Sequence, residues 1–246
     1  GLDWYERTYF KPTNQKIISD FTPSYFFDEN APKRIFESLG GNMKFLVVIR
    51  NPVDRAYSHY LHSKRDFHEV EGVEESLTLE ISRLKQYKDH SNYLSYLRHS
   101  YIRQGLYSNM LERYLQYFSL DNFLFINFED QFLLEIDLTI KKILDFLEVD
   151  SSIVLDTDIR RNPASKERSK NIKILMNKRG WWRDAIKFMI PSKKLRQIIN
   201  NKIQELSIKE FTPHPLDGEV KSRLLEKYFR EDILNFESII NKKMNW

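Results

Sequence analysis

The sequence contains no cysteine. Disulfides, thiolate metal sites and a cysteine nucleophile are thereby excluded. Glycine and proline are scarce, at 7 and 8 of 246 residues, and are scattered rather than clustered. No linker divides the chain, so a single domain over 1–246 is expected, and no Gly-rich Walker-type loop is present. Neither an internal repeat nor a low-complexity tract points to disorder. Apolar runs are short and interrupted by charges, so no segment reads as a signal peptide or a membrane span. The six histidines show no zinc-ligand spacing, and no metal is expected. The net charge is only +4, which suits an anionic ligand without calling for nucleic acid.

What is abundant is aromatic: 17 Phe, 13 Tyr and 4 Trp, enough for a core with thick aromatic packing in one large α/β domain. The basic excess is local. Arg160, Arg161, Lys166, Arg168, Lys170, Lys173, Lys178 and Arg179 stand against one acid, Glu167. Taken alone, such a run reads as a solvated face.

Hydrophobic patterning predicts a short strand at 16–19 and a helix at 28–39, with Asp28 as its cap and Gly40-Gly41 as its stop. The continuous apolar run at 44–50 predicts a strand buried on both faces. Asn51 then caps a helix that carries Pro52 at its first position. Helical stripes pass through Leu77, Ile81 and Leu84, and through Leu106 to Phe118. A second core strand is expected at 123–127, helical spacing follows at Ile140 to Leu147, and a long amphipathic helix runs from Val220 to Ile240. Strands alternating with helices imply a mostly parallel α/β sheet.

The informative stretch is KFLVVIRNPVDRAYSHY, 44–60. It sets Arg50 at the carboxyl end of a strand and starts a helix at once. Open α/β sheets bind ligands at that edge. A helix start offers N–H groups to an anion, and a guanidinium offers a planar fork to phosphate oxygens. Ser58, two turns on, lies on the same side as Asn51. A structural ion pair would use the same strand–Arg–helix junction. His59 points about 100° away from Ser58 on a helix, which favours packing or surface for it.

Arg50 and Ser58 within RNPVDRAYSHY resemble the 3′-phosphate-binding signature of sulfotransferases that use 3′-phosphoadenosine 5′-phosphosulfate (PAPS). GLDWY (1–5), FTPSYFFDENAPKRI (21–35), RQGLYSNMLERYLQYF (103–118), FLFINFED (123–130), DFLEV (145–149) and RNPASKERS (161–169) resemble further segments, in order, of the heparan sulfate N- and O-sulfotransferase branch. The resemblance implies the P-loop-like sulfotransferase fold, with PAPS as donor and adenosine 3′,5′-bisphosphate (PAP) as product. It implies a hydroxyl or amine acceptor, and the heparan-branch likeness points to a glycan. No nucleic-acid partner is implied. The family's Lys-x-Gly-Thr-Thr loop has no match here, so the resemblance implies a domain without its first strand and donor loop.

By the same resemblance the catalytic acid of the N-sulfotransferase branch maps to Asp20, and the branch's lysine next to it is Phe21 here. Asp20 also has a structural reading, as a cap of the strand end or of the Thr22 turn. Lys166 and Arg168 map to the loop over the 3′-phosphate. Tyr107 either lines the nucleotide cleft or packs in the core. Two alternatives differ in class. A P-loop kinase would need a Walker loop and a Mg²⁺-binding acid, and neither is visible. A catalytically inactive sulfotransferase-like module would bind an anionic glycan or nucleotide without chemistry. The lack of cysteine fits a cytoplasmic location, with the Golgi lumen as the alternative for a eukaryotic source.

Overall fold

The computed structural model describes residues 2–10, 14–87, 92–153, 155, 157, 165–167, 208–210 and 214–246. Contacts divide the chain into two compact units, Gly1–Thr157 with Leu216–Trp246, and Asp158–Pro215. The first unit contains α1 (Leu2–Tyr9), α2 (Ser24–Phe27), α3 (Ala31–Leu39), β1 (Phe45–Ile49), α4 (Pro52–Arg65), α5 (Val73–Gln86), α6 (Tyr93–His99), α7 (Tyr107–Leu115), β2 (Phe123–Asn127) and α8 (Ile136–Phe146). Its closing pair is α9 (Gly218–Tyr228) and α10 (Arg230–Ile240). In the second unit β3 (Ser165–Glu167) pairs antiparallel with β4 (Ile208–Glu210).

β1 and β2 are parallel neighbours, in register from Phe45↔Phe123 to Ile49↔Asn127. A parallel pair needs a long crossover, and α4 to α7 supply it. The expected aromatic packing holds this pair. Phe45 stacks on Phe123 with centroids 4.7 Å apart, and Phe125 meets Phe236 of α10 edge-on at 5.2 Å. Met110, Leu111 and Tyr114 of α7 complete that core. Full burial of side chains this large is worth about 1.5–3 kcal/mol each. A second cluster joins Val53, Ala56 and Tyr60 of α4 to Leu77, Tyr101, Leu224 and Phe229.

Three expectations are corrected. Residues 16–19 form no strand; no partner strand pairs with them, and Ile17 and Ile18 are exposed. β1 is not buried on both faces. Leu46 and Val48 are 43% and 50% exposed, because the helices of this unit cover one face and the other opens on the cavity described below. The helix expected from Val220 to Ile240 is two helices. It breaks at Phe229, whose backbone (φ −125°, ψ −16°) leaves the helical region and whose ring is fully buried. The break lets Leu224 and Ile233 both reach the second cluster.

The helix expected from residue 28 starts at Ala31 and its N-cap position is Asn30, not Asp28; Asp28 Oδ1 holds the turn before it, accepting from the N–H groups of Asn30 and Ala31 at 2.8 and 3.0 Å. Gly40 stops the helix with φ +80°, a left-handed conformation that favours glycine. Among the described residues no helix is long and apolar enough to cross a membrane.

Candidate functional site

The carboxyl ends of β1 and β2 are built alike. Each strand ends near a buried asparagine whose side chain caps the turn that follows. Asn51 Oδ1 accepts from the N–H groups of Val53 and Asp54 at 3.0 and 3.2 Å. Asn127 Oδ1 accepts from those of Glu129 and Asp130 at 2.9 and 3.4 Å. After Asn51 comes α4. After Asn127 comes a single π turn, Phe128–Phe132, a rare conformation that recurs at functional sites.

The helix start therefore differs from the sequence expectation. The N–H groups that an anion was expected to use are already engaged. Val53 and Asp54 donate to Asn51, and the Asn51 N–H points at both carboxylate oxygens of Glu129, 3.2 and 3.3 Å away. What remains for an anion is side-chain chemistry. Arg50 presents it: its guanidinium carbon lies 5.4 Å from the Phe128 ring centre, and its Nε sits 3.5 Å from Glu129 Oε1, buried and without a hydrogen bond. The side chain as a whole is 38% exposed. Its main-chain carbonyl accepts from the Tyr107 hydroxyl at 2.8 Å. Tyr107 is thus both a core aromatic and a support for Arg50. Burial pushes its phenol up to about 12, so it remains a donor at neutral pH.

Arg50 and Ser58 line one cavity of about 2320 Å³, together with Asp20, the apolar face of β1, Arg55 and His59. Three of the five residues singled out from the sequence thus share one space. Arg55 donates from Nη2 to the Tyr101 carbonyl, while its Nε is buried without a hydrogen bond. His59 packs edge-on against Tyr101 at 5.0 Å, its Nδ1 buried without a partner. Burial, with Arg55, His62 and His99 adding, lowers its pKa to about 3, so the imidazole stays neutral.

Asp20 is exposed. Its carboxylate accepts from the Tyr5 phenol and, at 2.9 Å, from the Thr22 hydroxyl. Phe21, where the family places a lysine, is 92% exposed and lines the same cavity. Lys166 lies in β3, paired across the strand with Lys209. Arg168, the other residue assigned to the 3′-phosphate loop, lies outside the described residues, as does most of the basic run. Among the described residues no group of three or more His, Asp or Glu could hold a metal. The residue that sequence reasoning missed is Glu129. Only the strand register places it: Ile49 pairs with Asn127, which sets Glu129, two positions on, beside Asn51 at the carboxyl edge.

Against known proteins, a profile described as the sulfotransferase domain matches residues 2–189. The chain belongs to the sulfotransferase family. Among curated proteins, heparan sulfate glucosamine 3-O-sulfotransferase 6 of Homo sapiens is 33% identical over 129 residues, 52% of this chain and 34% of its own. Heparan sulfate glucosamine 3-O-sulfotransferase 5 of Homo sapiens is 28% identical over 123 residues, 50% of this chain and 34% of its own. The chain thus spans about a third of the length of the curated relatives it matches. A sulfotransferase crystal structure from Alicyclobacillus acidocaldarius shares the fold, with a TM-score of 0.66 and 20% identity, covering 98% of this chain and 71% of that one. The α/β sulfotransferase fold expected from the sequence is the fold found.

Proposed function

We propose that the protein transfers a sulfuryl group from PAPS to a hydroxyl or amine of a carbohydrate. The observation that carries this reading is the joint placement of Arg50 and Ser58 on the cavity wall at the carboxyl end of β1. A guanidinium fork and a hydroxyl suit a phosphate monoester. With the helix-start N–H groups engaged by Asn51 and Glu129, Arg50 and Ser58 are the groups left to grip the 3′-phosphate. The curated relatives are named as sulfotransferases acting on heparan sulfate glucosamine, which supports a glycan acceptor and disfavours a module without chemistry. The cysteine-free sequence fits the cytoplasm.

In the reaction the acceptor oxygen or nitrogen bonds to sulfur while the bond from sulfur to the 5′-phosphate oxygen breaks. The acceptor proton goes to Asp20, an exposed carboxylate on the same cavity. In-line transfer of this kind depends on positioning and on stabilising charge. Arg50 and Ser58 fix the far end of the donor. Neutral His59 adds no charge to the cavity wall. By the family resemblance, Lys166 and Arg168 are further candidates for the 3′-phosphate.

Calorimetric titration of PAP and of adenosine 5′-monophosphate (AMP) tests the assignment. Losing a charged hydrogen bond costs about 1.5–3 kcal/mol, so Arg50→Ala is expected to weaken PAP by roughly ten- to a hundredfold. Ser58→Ala is expected to cost less, and AMP to change little in either variant. Equal losses for the two nucleotides would refute the 3′-phosphate assignment. No transfer of sulfate from PAPS to any glycan by the full-length protein would refute the activity.

A further inference from the structure

The same edge carries a residue that the proposed reaction does not use. Glu129 stands behind Arg50, its Oε1 3.5 Å from the buried Nε and both oxygens facing the Asn51 N–H. It takes the backbone donor and one side of the guanidinium that a bound anion would otherwise have. The side chain is 32% exposed, so its charge is only partly screened by solvent. Glu129 is not among the residues lining the cavity, so it acts on a ligand through the field and through Arg50 rather than by touching it.

We infer that Glu129 is a built-in counter-anion that holds down the affinity of the Arg50 site for the 3′-phosphate, so that the product nucleotide can leave. The inference rests on the proposed 3′-phosphate assignment and deepens it. Two effects of the carboxylate oppose one another. It steadies the Arg50 side chain, and ordering one such rotamer is worth about two- to tenfold in affinity. It also repels a phosphate one guanidinium away, and like-charge repulsion at that range, at an effective dielectric of about 20, is worth roughly thirtyfold. Repulsion is the larger, so the net effect of Glu129 is to loosen the nucleotide. In many enzymes product release sets turnover, and a donor and a product that share their 3′-phosphate bind through the same contacts. A site that gripped the phosphate with an uncompensated arginine would release the product more slowly.

Glu129→Gln keeps an oxygen to accept from Asn51 and removes only the charge. PAP is expected to bind this variant about three- to tenfold more tightly than wild type, with a slower dissociation rate and lower turnover at saturating donor. AMP affinity is expected to stay put. Glu129→Asp keeps the charge, and its PAP affinity is expected to remain within about threefold of wild type, which separates charge from shape. A purely structural Glu129 would lower melting temperature in both variants and tighten neither. PAP binding to Glu129→Gln that is unchanged or weaker, in a protein where wild type still prefers PAP over AMP, overturns this inference alone. A wild type without that preference overturns the 3′-phosphate assignment, and this inference with it.

Discussion

The Asp20 carboxylate accepts a hydrogen bond from the phenol of Tyr5, fifteen residues earlier in the chain. The contact ties the α1 helix to the turn before α2 on the wall of the cavity. It also keeps the carboxylate oriented while leaving it exposed, as the role proposed for it requires. The Tyr5 hydroxyl is pushed well above the usual phenol range by burial and then by the Asp20 hydrogen bond, so it stays a donor across the working pH range.

Replacement of this carboxylate by its amide separates chemistry from capping. Asp20→Asn retains an oxygen for Tyr5 or Thr22 but cannot take a proton. Turnover is expected to fall roughly 10²–10⁴-fold, the usual range for losing a general base, with PAP affinity nearly unchanged. Sulfate-transfer kinetics alongside calorimetry check both halves. Full activity in the variant would leave Asp20 as the cap of the Thr22 turn.

Gly105 is expected to resist any side chain. A Cβ there would meet Phe229 Cε1 at 2.8 Å, Pro52 Cβ at 3.3 Å and Arg55 Nε at 3.4 Å. Phe229 is fully buried and cannot swing aside. Gly105→Ala is therefore predicted to destabilise the fold by about 1–3 kcal/mol, the cost of overpacking a dense core. A lower urea midpoint with an unchanged slope is the expected signature. An unshifted midpoint would mean that the 103–105 turn yields freely.

Glu80 is expected to make the stability of the fold depend on pH. It is buried at 1% exposure and accepts from the N–H groups of Ile102 and Arg103 at 2.5 and 2.9 Å. Burial raises its pKa from 4.5 to about 7, against the opposing pull of those two N–H groups, Arg55 and Arg103. The folded state thus holds this proton more tightly than the unfolded chain does. Its contribution is full below pH 4.5 and is lost as pH rises through about 7. On the order of 1–3 kcal/mol of stability is expected to drain away across that window. In Glu80→Gln, which cannot titrate, this slope is expected to vanish. Urea denaturation at intervals between those limits tests it; parallel curves for the two proteins would refute it.

Much of this was legible in the sequence because it is local. Asn51 and Pro52 start α4 by chemistry confined to four residues, and the apolar runs that became β1 and β2 are recognisable without knowing their partners. Arg50 and Ser58 were readable for the same reason: a strand end and seven helical positions place them without help from elsewhere. The tertiary structure decided what depends on neighbours distant in sequence. Glu129 reaches the Asn51 N–H across 78 residues and fills a role assigned to an incoming anion. Leu46 and Val48 are exposed because a strand's burial is set by what packs on each face, not by its own hydrophobicity. The turn at Phe229 divides a pattern of uninterrupted helical period, because the demand that two stripes face one core acts between elements rather than along them. Periodicity reports what a segment can bury; only the packed chain determines which surfaces are available to bury it.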